Sequence, residues 1–111
     1  MKKISLSELV AATHTPFKED GSLNLSAVES QAEQLTRYGI STAFICGSTG
    51  ECHSLTLDER RRLAVRWMEV VRGSDLRVIV HVGSNCLPDA RELAAQAEAL
   101  GALAIAALAR P

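Results

Sequence analysis

The stretch Thr42-Ala43-Phe44-Ile45-Cys46-Gly47-Ser48-Thr49-Gly50-Glu51 decides how this chain is read. Its first half is a nearly unbroken apolar run, shorter than a helix and rich in β-branched and aromatic residues. A strand with one wet face alternates apolar and polar residues, whereas an unbroken run suits a parallel strand covered on both sides. The second half is a glycine-bounded turn that carries two hydroxyl side chains, Ser48 and Thr49.

Working outward, strand-like runs and helical patterns alternate. Downstream, Thr56-Leu57-Asp58-Glu59 has the spacing of a capping box, in which a hydroxyl and a carboxylate satisfy each other's free backbone N–H groups. Leu63, Trp67, Val70 and Val71 then form an apolar stripe, and Gly73 closes the helix. Upstream, Ser26-Ala27-Val28-Glu29 predicts another capping box, with Val28, Ala32 and Leu35 on one face and Gly39 as the stop. A third helix is expected from Pro88, with Asp89 and Glu92 near its positive end and Gly101 at its close. Ala90, Leu93, Ala94, Ala97 and Leu100 would be its inner face. Strand-like runs occupy residues 9–12, 42–46, 78–82 and 102–108. Of these, Phe44-Ile45-Cys46 and Val78-Ile79-Val80 are expected to be buried on both faces. A β-α period of roughly 30 residues implies a parallel sheet with right-handed crossovers. A doubly wound open sheet and a barrel both fit that pattern.

The composition narrows the partners. The 111 residues carry 12 basic and 13 acidic side chains, a net charge of −1. No cationic surface follows, so neither nucleic acid nor anionic membrane is an expected partner. Glu8 and nearby serines interrupt any signal-like segment after Lys2 and Lys3, and a cytoplasmic location is expected. Cys46, Cys52 and Cys86 are odd in number and lack CxxC spacing, so they read as reduced thiols and small buried or half-buried residues. His14, His53 and His81 show no metal-ligand spacing, and no metal is expected.

Three loops after strands are the candidates for chemistry. In the 47–51 loop, Gly47 and Gly50 would let the backbone turn sharply and approach a ligand. Ser48 and Thr49 add hydroxyls beside their own N–H groups, a donor set suited to a carboxylate or phosphate. A turn that only reverses the chain is the plainer reading. Glu51 is either a base or an acid that fixes the loop by hydrogen bonds. Thr15, before Pro16 in the loop after the first strand, is expected to support the mouth of the sheet. His81 ends the third strand, either beside a site as proton carrier or packed in the wall. Arg60-Arg61-Arg62 read as the solvated face of a helix, and Trp67 as core.

Taken in order, Thr15-Pro16-Phe17, Gly47-Ser48-Thr49-Gly50-Glu51, the helix start at residues 55–62 and His81-Val82-Gly83 resemble the N-acetylneuraminate lyase and dihydrodipicolinate synthase family. The likeness runs from about Leu9 to Arg110. It implies an α/β fold, the N-terminal half of a (β/α)8 TIM barrel with three βα units and a fourth strand. Residues 1–111 would be one incomplete barrel domain, with no second domain. It also implies a class I aldolase, usually tetrameric, that forms a Schiff base between a lysine and a keto acid; no cofactor is expected. Ser48 and Thr49 would be its carboxylate-binding pair, flanked by Gly47 and Gly50 and supported by Glu51, Thr15 and His81.

The Gly-Ser-Thr-Gly-Glu and His-Val-Gly loops are more similar to the sialic acid lyases of the family. The expected reaction is cleavage of N-acetylneuraminate to N-acetylmannosamine and pyruvate. A dihydrodipicolinate synthase or a 2-keto-3-deoxy sugar acid aldolase is the alternative within the family. The family's Schiff-base lysine and proton-shuttling tyrosine come from later strands, and Lys2, Lys3 and Lys18 match neither. No catalytic residue is therefore expected here, and the chain alone is expected to be inactive. Where the family has a Thr-Pro or Ala-Pro run, this chain has Ala109-Arg110-Pro111. A reading of another class is a non-catalytic half-barrel that self-associates to cover its open sheet edges.

Overall fold

The computed structural model describes residues 9–47 and 49–107. Its elements follow in the order β1 (Val10–Ala12), α1 (Ala27–Arg37), β2 (Thr42–Ile45), a 3-10 turn (Cys52–Ser54), α2 (Leu57–Val71), β3 (Arg77–His81), α3 (Leu87–Leu100) and β4 (Ala104–Ala106). All neighbouring strands pair in parallel, and their order in the sheet is β1-β2-β3-β4. A doubly wound sheet reverses its strand order at a switch point, and this one does not. Sequential order with right-handed crossovers places every helix on one side. The sheet is the N-terminal half of a (β/α)8 barrel.

The strand register divides the sheet into two faces. Ala43, Ile45, Val78 and Val80 alternate with the other set and join Val28, Ala32, Leu63, Trp67, Val71, Leu93 and Ala97 in one buried cluster. Phe44, Ile79 and His81 lie on the opposite side, where Phe44 pairs with Ile79 and His81 with Ala106. Both faces of β3 are buried, as its unbroken apolar run requires, whereas Phe44 in β2 is only half-buried. The outer strands are short, and the fourth run regularises only over Ala104–Ala106. Its expected end at Leu108 lies outside the described residues.

The helix boundaries follow local chemistry. Thr56 caps α2 as expected: its hydroxyl accepts from Glu59 N–H at 3.0 Å, and the Glu59 carboxylate accepts from Thr56 N–H at 2.9 Å. Gly39, Gly73 and Gly101 follow the three helices with φ of 74°, 82° and 84°, a left-handed conformation that glycine adopts without a Cβ clash. The box expected at Ser26 does not form. Ser26 is itself in the right-handed helical region, and its hydroxyl donates to Asn24 Oδ1 at 2.7 Å instead. Replacing Thr56 by Ala is therefore expected to lower stability by about 1 kcal/mol, and Ser26→Ala by less than about 0.5 kcal/mol. Urea midpoints of the two variants check this directly.

No helix among the described residues is long and apolar enough to cross a membrane. Cys46 and Cys52 are buried, but Cys86, expected to be covered, is exposed at the N-cap of α3; all three are free thiols.

Candidate functional site

The parallel arrangement gathers the loops after β1, β2 and β3 at one end of the sheet, where α/β folds place their ligands. The first two loops are joined directly. Thr15 is buried, and its hydroxyl donates a short hydrogen bond to the Gly50 carbonyl. Thr13 N–H donates to Phe44 O at 3.0 Å, which continues the β1–β2 pairing up to the mouth.

Within the 47–51 loop, the left-handed turns are made by residues that carry side chains. Cys46 has φ 62° and Glu51 φ 60°, whereas neither Gly47 nor Gly50 has a positive φ. Each non-glycine in this region costs about 1–2 kcal/mol, and such strain persists only where the surroundings hold it. The two glycines are needed for close approach instead. A Cβ on Gly50 would stand 3.1 Å from Cys46 N, 3.1 Å from Thr13 O and 3.2 Å from Cys46 Cα, all backbone atoms. A Cβ on Gly47 would meet the Phe44 ring at 2.5 Å. Cys52 N–H closes the loop on Gly47 O at 3.2 Å, and Ser54 N–H bonds Glu51 O at 2.9 Å.

Thr49 is exposed on this loop, and Gly47 and Gly50 are buried beneath it. Ser48 lies outside the described residues. Glu51 is exposed, and its carboxylate takes no hydrogen bond or ion pair among the described residues; Thr15 is the side chain that ties the loop down. His81 is 3% exposed, with its ring 6.1 Å from that of Phe44. It therefore sits in the wall one strand away from the loop.

The side chain that the sequence reading misplaced is Arg60. It was expected on a solvated helix face, yet it is 5% exposed. Its guanidinium donates to His81 O at 2.7 Å and Gly83 O at 2.8 Å. The two arginines that follow it do stay outside, paired with Glu92 and Asp58. Cys46, beneath the loop, has its thiol pushed up to about 11, chiefly by burial, with the Arg60 charge and hydrogen bond acting the other way. Arg60 also lines a polar cleft of about 210 Å³ with Cys52, Gly83, Asn85 and Asp89. A larger hollow of about 380 Å³, lined by Met68, Val71, Leu76, Arg77 and Leu103 among others, lies at the other end of the sheet, away from the three loops. No group of His, Cys, Asp and Glu among the described residues is placed to hold a metal ion.

Residues 5–109 match the profile of the Dihydrodipicolinate synthetase family. An N-acetylneuraminate lyase of Gallus gallus is 42% identical over 105 residues, covering 94% of this chain and 34% of that protein. The solved N-acetylneuraminate lyase (sialic acid aldolase) of Aliivibrio salmonicida superposes with a TM-score of 0.87 at 34% identity, covering 96% of this chain and 35% of its own. The solved dihydrodipicolinate synthase of Aquifex aeolicus gives a TM-score of 0.83 at 29% identity, over 90% of this chain and 33% of its own. The chain spans about a third of the length of the curated relatives it matches.

Proposed function

The chain belongs to the dihydrodipicolinate synthetase family, and from that premise we propose that it forms the first four strands of the barrel of a Schiff-base-forming, pyruvate-dependent aldolase whose substrate is N-acetylneuraminate. The observation that carries this reading is the 42% identity to an N-acetylneuraminate lyase over nearly the whole chain. The 47–51 loop supports it, because Thr49 is exposed above buried glycines at the mouth of the sheet. In this reading Ser48 and Thr49 hold the substrate carboxylate through hydroxyl and N–H donors. Thr15 braces the loop from below, and holding the acid in one orientation brings its keto carbon to the reacting lysine. The lysine and the proton-shuttling tyrosine belong to later strands of the barrel. The imine formed there is the electron sink for carbon–carbon cleavage.

Borohydride trapping tests the proposal. A hybrid in which residues 9–107 replace the matching third of the Aliivibrio salmonicida lyase is expected to cleave N-acetylneuraminate and to give a trapped pyruvate adduct. The 111-residue chain by itself is expected to give none, because Lys18 sits exposed in a polar turn and Lys2 and Lys3 match no catalytic position. A folded hybrid that takes up no adduct, or a stoichiometric adduct on the chain alone, would sink the reading.

A further inference from the structure

Arg60 carries a charge that α2 itself does not need. It stands in the first turn of the helix, where a cation opposes the helix dipole. The helix start is already satisfied by Thr56 and Glu59, and its core contacts are made by Leu63 and Trp67. A buried guanidinium is costly unless its donors are used. No carboxylate among the described residues pairs with Arg60. Two of its nitrogens are instead spent on His81 O and Gly83 O, the carbonyls that bracket the end of β3. Its Nε meets no oxygen among the described residues. The same group lines one cleft with Cys52, whose N–H closes the 47–51 loop on Gly47 O, and its charge also reaches the Cys46 thiol. Cys46 is the left-handed residue that turns β2 into the 47–51 loop.

We infer that Arg60 is a positioning residue: its guanidinium ties the end of β2 to the end of β3, so that the 47–51 loop presents its donors to a substrate carboxylate in one geometry. This rests on the reading of that loop as the carboxylate cradle. The planar fork matters, since it reaches two carbonyls at once. An ammonium group is a single point charge on a flexible stem and does not reproduce that span.

The test uses the full chain with Arg60→Met, Arg60→Lys and, as a core-destabilised control, Val71→Ala. Two quantities are read: the affinity for pyruvate from amide shifts, and hydrogen exchange at Cys52 and Val82. Those two N–H groups bond Gly47 O and Ala106 O and so report on the loop and the strand end. Arg60→Met is expected to weaken pyruvate binding about tenfold or more and to speed exchange at both amides about tenfold beyond the control. Arg60→Lys is expected to fall between Met and the parent. If Arg60→Met does not fold, Arg60→Lys against the control decides alone. Pyruvate binding and local exchange in the Arg60 variants that match Val71→Ala would overturn the inference. A parent chain that ignores pyruvate would instead remove the carboxylate reading, and the exchange comparison would still decide whether Arg60 orders the two ends.

Discussion

Trp67→Ala is expected to cost about 3–5 kcal/mol, enough to leave much of the chain unfolded at room temperature. The indole is 0% exposed, within the buried cluster that joins one face of the sheet to its helices. Removing it takes away the largest of the fully buried side chains and leaves a cavity. The cluster draws its residues from all three helices and from strands already held in register, so collapse around the hole is limited. Trp67→Phe keeps most of the volume and is expected to cost well under half as much. Urea unfolding followed by far-UV circular dichroism compares the two. A loss below about 1 kcal/mol for Trp67→Ala would contradict the central place given to this residue.

Gly50→Ala is expected to lower kcat/KM of the hybrid enzyme about 100-fold, an effect of about 2.7 kcal/mol. The added methyl would meet three backbone atoms of Cys46 and Thr13, and backbone in a sheet end cannot swing aside. The loop itself must then move, which breaks the Thr15 hydrogen bond to the Gly50 carbonyl and shifts Thr49. Gly47→Ala provides the contrast. Its clash is with the ring of half-buried Phe44, which has room to rotate, so about tenfold or less is expected. Steady-state kinetics on both variants, with circular dichroism to show that each is folded, settle the order. Equal effects at the two positions would argue that the backbone contact at Gly50 is not what the loop requires.

The structure changes the reason for the glycines in this loop. Read as sequence, they provide sharp turning. In the fold the turning falls to Cys46 and Glu51, while the glycines leave room for neighbouring backbone and a ring. Nothing in a one-dimensional pattern distinguishes a glycine needed for its φ from one needed for its missing Cβ. The same limit explains Ser26, whose capping spacing matches that of Thr56 yet whose hydroxyl turns to Asn24. Spacing makes a capping box available; the backbone entering the helix decides whether it closes.

What the sequence determined by itself was set by local periodicity. The apolar runs, the helical stripes of α2 and α3, the closing glycines and the order of the three loops were all legible, because burial on one face imprints its period on neighbouring residues. Only the tertiary structure decided which end of each element meets which. Arg60 reaches carbonyls 21 and 23 residues away, and Thr15 reaches one 35 residues away. Those contacts depend on how α2 docks over the sheet and how β1 lies beside β2, and no period within either segment encodes them. An arginine inside a run of three thus looks like solvated surface until the helix is turned against the strand ends that use its charge.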